Sequence, residues 1–171
     1  MIEELVVLVD ENDCEVGMMP KLEAHQKALL HRAISVFIFN TKGEWLLQRR
    51  ALHKYHSSGL WSNAACTHPR PNESYLEAAQ RRLEEEMGMK CELNYLFHFI
   101  YKEKLDNELT EHELDYVFIG YTDETPNFND KEVCDHKYIG YDDLTKDMYE
   151  NPNRYTYWFK HVIENVKQHL K

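Results

Sequence analysis

The sequence predicts a mixed α/β domain in which a sheet packs against helices. Apolar runs with strand character lie in both halves of the chain, a helix with start and stop signals lies between them, and a segment with helical periodicity closes the chain. Strands and helices in this order are typical of a layered α/β architecture. No linker or repeat divides the 171 residues, so we expect one domain over residues 1–171 with a buried core.

The first half of the chain is predicted to begin with strands. The apolar run VVLV at 6–9 precedes the turn-prone segment DENDCEVG, which we interpret as a strand followed by a turn. Two further strand-like runs, AISVFIFN at 33–40 and EWLLQRR at 44–50, flank Thr41, Lys42 and Gly43. This short connection contains a glycine and therefore predicts a hairpin.

A helix is predicted over the segment that ends near Met87. Ser74 and Glu77 have the spacing of a capping box at its start, and Gly88 stands where a left-handed residue would end it. Four residues recur at helical spacing and should form its buried stripe: Leu76, Ala79, Leu83 and Met87.

The second half of the chain should add strands and a closing helix. Strand-like runs lie at 91–101, 113–121 and 136–141, and the polar loop TDETPNFNDKE separates the last two. The tail from Arg154 to Leu170 places Trp158, Val162 and Val166 four residues apart, which predicts an amphipathic helix.

The composition restricts the partners of the protein. A formal net charge of -10 disfavours nucleic acid and anionic membranes, although a local cationic pocket with a divalent metal can still bind a small anion. The acidic N-terminal segment has an apolar run too short for a signal peptide or membrane span, so we expect a cytoplasmic protein. The four cysteines form no CxxC pair and should be free thiols. The oligomeric state stays open.

The central helix and the segment before it resemble the signature of the Nudix family, G-x5-E-x7-R-E-U-x-E-E-x-G-U, where U is a bulky aliphatic residue. The residues in register are Glu73, Arg81, Leu83, Glu85, Glu86, Gly88 and Met89. Two positions differ, because Thr67 replaces the first glycine and Arg82 replaces the glutamate after the arginine. The resemblance implies the Nudix fold, a mixed β-sheet sandwiched between helices.

Arg82 distinguishes between kinds of Nudix protein. Nudix hydrolases use the glutamates of this segment to hold metals and to activate the water that cuts a diphosphate. An arginine cannot act as a base at neutral pH and would repel a second metal, but it suits bidentate contact with phosphate. The substitution therefore indicates a family member that binds a diphosphate and leaves it intact.

Three segments resemble the type I isopentenyl-diphosphate Δ-isomerases, a branch of the Nudix superfamily. They are LLHRAISVFIFNTKGEWLLQRRALHKY at 29–55, NAACTHP at 63–69 and EHELDYVF at 111–118. The resemblance implies reversible conversion of isopentenyl diphosphate to dimethylallyl diphosphate, an enzymatic step of isoprenoid biosynthesis. This reaction adds a proton to the terminal alkene carbon, passes through a tertiary carbocation and removes a proton from the neighbouring methylene.

Metal ligands are predicted partly by spacing and partly by the resemblance. Glu111 and Glu113 are two apart in a predicted strand, so both carboxylates should project from one face and repel unless a cation or proton lies between them. By the resemblance, one divalent metal is bound by His25, His31, His68, Glu111 and Glu113. This donor set suits Zn²⁺, Mn²⁺ or Mg²⁺. The resemblance also implies that Glu86 binds an Mg²⁺ that enters with the substrate.

The remaining roles also follow from the resemblance. Cys66 and Glu113 are the expected proton-transfer pair, with the direction of transfer left open, and Tyr101 is expected to relay a proton. Trp158 matches an aromatic residue that faces the carbocation, although it also heads the apolar stripe of the last helix. The diphosphate is expected to contact Lys21, Arg50, Lys54 and Arg82.

Two other functions fit parts of the sequence. A Nudix hydrolase of a nucleoside or prenyl diphosphate would use the same helix, but Arg82 argues against it. A Nudix-fold binding module without catalysis would require Cys66, Glu113 and the histidines to be coincidental. We therefore expect an isomerase whose partner is a small prenyl diphosphate.

Overall fold

A mixed sheet built around one long strand, β3, organises the protein. The computed structural model describes residues 3–54, 56–105 and 107–170. The strands are β1 (Leu5–Val9), β2 (Glu15–Pro20), β3 (His31–Phe39), β4 (Trp45–Arg50), β5 (Trp61–Ser62), β6 (Ala65–Thr67), β7 (Asn94–Lys104), β8 (Thr110–Tyr121) and β9 (Val133–Ile139). The helices are α1 (Lys21–Gln26), α2 (Tyr75–Met87), α3 (Tyr141–Glu150) and α4 (Tyr157–His169), with a 3-10 turn at Pro152–Arg154.

Strand β3 has a different partner on each side. Along one edge it runs parallel to β8, from the pair His31–Glu113 to the pair Phe39–Tyr121. Along the other edge it pairs antiparallel with β6, while β1 and β4 each meet only one of its ends. In the predicted hairpin, β3 and β4 therefore pair only next to the turn, at Phe39 and Trp45. Beyond this pair, β4 diverges and pairs with β9 and β5.

Helices α2 and α4 cover opposite faces of this sheet. Ile34, Val36 and Ile38 of β3 pack in one core cluster with the buried residues of α2. Phe37 and Phe39 point the other way, into a second cluster with α4. Because successive strand residues face opposite sides, one apolar strand supplies both cores. The predicted sheet between helices is confirmed.

The capping signals of α2 are confirmed. The Ser74 side chain accepts a hydrogen bond from the Glu77 backbone amide, the Glu77 side chain accepts one from the Ser74 amide, and Gly88 ends the helix with φ of 61°. The prediction that Leu76 is buried is wrong, since it is 39% exposed. Tyr75 instead packs against the core at this end of the helix, stacked on Tyr116 with ring centroids 3.7 Å apart.

Several short elements were not predicted. The turn-prone segment DENDCEVG contains the start of β2, and α1, β5 and β6 each span six residues or fewer. Helix α3 was also missed, because most of its residues are polar and only Leu144 is buried. The closing helix is confirmed, with Trp158, Val162 and Val166 all buried. All four cysteines are free thiols, and no described helix is long and apolar enough to span a membrane.

Candidate active site

A cavity of about 770 Å³ collects most of the residues that the sequence singled out. The predicted residues that line it are Lys21, His25, Arg50, Lys54, Cys66, His68, Arg82, Tyr101, Glu111, Glu113 and Trp158. His31 is fully buried beside it, with Nε2 3.6 Å from the Glu113 carboxylate. Glu86 lines a small adjoining recess that also touches Cys66 and Arg50.

Strand register brings the reactive side chains together on one side of this cavity. We call this side the floor, and it consists of Ser35, Cys66, Tyr101 and Glu113 with the adjoining His31. His31 of β3 lies opposite Glu113 of β8, and Tyr101 of β7 lies opposite the same Glu113. On the other edge of β3, Ser35 lies opposite Cys66. These residues share the sheet face that α4 covers, because they alternate in step with the apolar residues buried under that helix.

Three imidazoles and one carboxylate converge at one point. His25, His31, His68 and Glu113 each offer a ligand atom, and these atoms lie within 4.8 Å of one another. His31 Nδ1 is 2.8 Å from the Leu29 carbonyl, which leaves Nε2 with its lone pair directed at the cluster. His25 Nε2 and His31 Nε2 are buried and have no hydrogen-bond partner among the described residues. Orphaned imidazole nitrogens beside a carboxylate fit a divalent metal.

The electrostatics of the cluster agree with this donor set. Burial, followed by repulsion from His68 and His31, lowers the pKa of His25 to about 3, so this imidazole is neutral and can donate its lone pair. Burial opposes ionisation of Glu113, but the imidazoles of His31 and His68 hold the pKa of this carboxyl well below its usual range. Burial also lowers the pKa of His68, whereas the hydrogen bond to Glu113 raises the pKa of His31 against the effect of its burial. Neutral imidazole nitrogens and an ionised carboxylate are suitable ligands for a divalent cation.

Glu111 lies outside this group of four ligands. Its carboxylate accepts a hydrogen bond from the Tyr101 hydroxyl at 2.5 Å, and the same hydroxyl is 3.2 Å from Glu113 Oε2. Burial and then the neighbouring Glu113 charge raise the pKa of Glu111 to about 7. Tyr101 therefore connects the two carboxylates that strand alternation placed on one face.

Cys66 lies on the floor as a neutral thiol. Burial raises the pKa of Cys66 to about 12, and Asn63 Nδ2 lies 3.2 Å from its sulfur. Ser35 Oγ approaches the sulfur to 3.6 Å and donates a hydrogen bond to Asp115 at 2.7 Å. The sequence reasoning missed Ser35 and Asp115. The alternation that pairs Glu111 with Glu113 also reaches Asp115, so that residue was open to prediction.

Three of the predicted phosphate-binding cations, Lys21, Lys54 and Arg82, are paired with acidic side chains. Arg82 lies against Glu86, with 2.8 Å between Nε and Oε1, and against Glu132, with 3.1 Å between Nη2 and Oε2. Lys54 pairs with the same Glu132. Lys21 Nζ is 3.4 Å from the Glu4 carboxylate. Glu132 belongs to the polar loop before β9, and no sequence signal marked it.

Arg50 and Trp158 meet at the α4 side of the cavity. The Arg50 guanidinium carbon lies 5.3 Å from the Trp158 ring centroid, and Arg50 donates to the His56 carbonyl at 3.3 Å. Trp158 belongs to α4, is 7% exposed, packs in the core beneath this helix and also lines the cavity. Glu86 is buried and accepts a hydrogen bond from Gln48 Nε2 at 3.2 Å.

Two comparisons of sequence identify the relatives of this chain. A family model described as the NUDIX domain matches residues 29–159. An isopentenyl-diphosphate Delta-isomerase of Pectobacterium atrosepticum is 52% identical over 161 residues, covering 94% of this chain and 90% of that protein. One of Aliivibrio fischeri is 44% identical over 176 residues, covering 98% and 97%.

Solved structures with low sequence identity show the same fold. The MutT protein from Methanosarcina mazei aligns with a TM-score of 0.67 at 20% identity, covering 83% of this chain and 96% of that one. A MutT NUDIX hydrolase from Burkholderia pseudomallei aligns with a TM-score of 0.64 at 19% identity, covering 80% and 98%. At this identity the likeness concerns the fold alone.

Proposed function

The chain belongs to the Nudix family and, within it, to the isopentenyl-diphosphate Delta-isomerases, and on that premise we propose that it interconverts isopentenyl diphosphate and dimethylallyl diphosphate. The observation that best supports this activity is the joint placement of Cys66, Glu113 and Arg82 on one cavity. Cys66 and Glu113 carry groups that can transfer protons. Arg82 is a permanent cation at a position where a Nudix hydrolase has a glutamate.

Cys66 and Glu113 are the proposed proton-transfer residues. In the forward direction a proton is added to the terminal alkene carbon, and the resulting tertiary carbocation loses a proton from the neighbouring methylene. The neutral Cys66 thiol and a carboxyl with a tyrosine neighbour suit such an exchange, because one group gives a proton and the other takes one. Tyr101 is proposed to relay a proton between Glu113 and Glu111, since its hydroxyl is near both.

A divalent metal is proposed at the imidazole cluster. His25, His31, His68 and Glu113 would hold it. Glu111 is proposed as a further ligand on the family resemblance. Zn²⁺, Mn²⁺ and Mg²⁺ all suit nitrogen and oxygen donors of this kind. When bound, the ion supplies positive charge that stabilises the ionised form of Glu113.

The diphosphate is proposed to bind at the cationic side of the cavity. Lys21, Arg50, Lys54 and Arg82 would contact it. The acidic partners of Lys21, Lys54 and Arg82 would then share these three cations with the phosphates. Glu86 is the proposed ligand of an Mg²⁺ that accompanies the diphosphate, because Mg²⁺ is commonly held by one or two carboxylates together with substrate phosphates.

Trp158 is proposed to face the carbocation. Its ring lines the cavity and lies beside the Arg50 guanidinium, so a cation is already accommodated at this aromatic surface. A cation over an indole ring gains about 0.5–2 kcal/mol when it is shielded from water. Residues from Lys21 to Trp158 line the same cavity, and we propose that residues 1–171 act as one catalytic unit.

Incubation with isopentenyl diphosphate and Mg²⁺ in D₂O, followed by NMR, tests the proposal. Dimethylallyl diphosphate that carries deuterium is the expected product. Release of inorganic phosphate or pyrophosphate without isomerisation would identify a hydrolase, and binding without any reaction would identify a binding module. Either result would refute the proposed activity.

A further inference from the structure

Asp115 is a buried carboxyl that the proposed chemistry does not use. It is 3% exposed, lines the cavity two residues after Glu113, and lies opposite Ala33 in the β3–β8 register. Only one of its oxygens has a hydrogen-bond partner among the described residues, since Oδ2 accepts from Ser35 Oγ at 2.7 Å and Oδ1 accepts none. A buried polar atom without a partner is costly, so its presence beside a reactive group calls for a functional explanation.

Ser35 connects this carboxyl to the Cys66 thiol. The β3–β6 register sets Ser35 directly opposite Cys66, and the hydroxyl oxygen lies 3.6 Å from the sulfur. A serine hydroxyl has one proton and two lone pairs. Because the bond to Asp115 uses the proton, the oxygen faces the sulfur as an acceptor and can receive the thiol S–H.

Asn63 holds the sulfur from the other side. Its Nδ2 donates to Sγ at 3.2 Å, and its Oδ1 accepts a hydrogen bond from the thiol at 3.4 Å. That Oδ1 already accepts a hydrogen bond from the Ser62 hydroxyl at 2.9 Å. Ser35 Oγ competes with Asn63 Oδ1 for the thiol proton when Asp115 keeps the serine proton turned away from the sulfur.

We propose that Asp115 is a positioning residue for Cys66 and acts through Ser35. By accepting the Ser35 proton, it fixes the direction of the hydroxyl, and the hydroxyl oxygen in turn fixes the direction of the Cys66 S–H bond. The thiol then presents one orientation to the substrate carbon. This inference rests on the proposed function, in which Cys66 exchanges a proton with the substrate.

The test compares isomerase turnover in Ser35→Ala, Asp115→Val and Asp115→Asn proteins with the wild type. Ser35→Ala and Asp115→Val should each lower kcat about tenfold, the loss that corresponds to about one hydrogen bond, with KM for isopentenyl diphosphate unchanged. Asp115→Asn should retain most of kcat, because its amide oxygen still accepts from Ser35. The double variant Ser35→Ala/Asp115→Val should lose no more kcat than Ser35→Ala alone, since both changes break the same chain of hydrogen bonds from Asp115 through Ser35 to Cys66.

A matched control removes a hydroxyl–carboxylate bond elsewhere. The Tyr155 hydroxyl donates a hydrogen bond to Asp147 outside the cavity, so Tyr155→Phe should leave kcat at the wild-type value. Thermal unfolding and circular dichroism establish that each variant is folded, and Ser35→Ala, the smallest change, is the decisive variant.

Three outcomes would overturn the inference. They are a wild-type kcat in Ser35→Ala, additive losses in the double variant, and an Asp115→Asn protein as slow as Asp115→Val. Failure of the proposed function itself is a separate result, because the wild-type protein would then form no dimethylallyl diphosphate in the same assay.

Discussion

The floor and the cationic side of the cavity are held in place by different means. On the floor, β-sheet register fixes Glu113 between His31 and Tyr101 and sets Cys66 opposite Ser35. On the cationic side, Lys54 and Arg82 are held by ion pairs to Glu132. The difference matches two chemical tasks. Proton transfer requires fixed distances, whereas diphosphate binding requires cations whose counter-charges can be exchanged.

This comparison predicts a division of kinetic effects. Changes on the floor should reduce kcat with little effect on substrate affinity, and changes on the cationic side should raise KM with a smaller effect on kcat. Four experiments examine this division, in order of decreasing expected effect.

The largest effect is expected when a proton-transfer residue is removed. Cys66→Ala and Glu113→Gln should each lower kcat by about 10²–10⁴-fold, the usual contribution of a positioned acid or base. Both proteins should stay folded, because each change is nearly isosteric or reduces volume slightly. Steady-state kinetics measures kcat, and thermal unfolding checks that each variant is folded. Near-wild-type turnover in either variant would refute the pairing.

Removal of the metal should have the next largest effect. Dialysis against a strong chelator should abolish most turnover and lower the melting temperature, since a metal that binds only the folded state stabilises it. Re-addition of Zn²⁺, Mn²⁺ or Mg²⁺ in turn identifies the ion that restores both. His25→Gln should weaken metal binding at least about tenfold, whereas the exposed His53→Gln serves as the matched control. Equal metal affinity in the two variants would place the ion elsewhere.

Arg82→Glu should affect the cationic side. This change puts a carboxylate next to Glu86 and Glu132 and removes a phosphate contact, so KM should rise about tenfold or more. Arg154→Glu reverses the same charge at an exposed position outside the cavity and should leave KM unchanged. An unchanged KM in Arg82→Glu would refute its contact with the diphosphate.

The smallest effect is expected from salt. Lys21, Lys54 and Arg82 are partly exposed, so increasing ionic strength from about 0.05 M to about 0.5 M should screen their attraction for the diphosphate and raise KM a few-fold. The buried floor should be screened much less, and kcat should stay constant. A fall in kcat with no change in KM would contradict the division between the two regions.

Local signals made part of this structure predictable. The Ser74–Glu77 capping box and Gly88 delimit α2 through contacts within a few residues, and alternation alone placed Glu111 and Glu113 on one face. The Nudix fold and the isomerase resemblance were confirmed by the match to the family model and by relatives that are 52% and 44% identical over nearly the whole chain.

Other features depend on tertiary pairing that no local signal reports. Ser35 reaches Cys66 only because β6 pairs with β3, and Glu132 reaches Lys54 only because the loop before β9 returns to the cavity. The six-residue helix α1, which carries His25, is too short for periodicity to identify. The same limit explains why Leu76 was assigned to the core, since periodicity does not show where a helix extends past the packed core.

Binding and deuterium exchange by the Cys66→Ala protein test the central claim most directly. Isothermal calorimetry would measure its affinity for isopentenyl diphosphate with Mg²⁺, and NMR in D₂O would follow the carbon-bound protons of the bound substrate. We predict wild-type affinity and incorporation of deuterium into dimethylallyl product at least about 10²-fold slower than in the wild type. Loss of binding, or product formation at the wild-type rate, would contradict the assignment of proton transfer to the floor and of substrate binding to the cationic side.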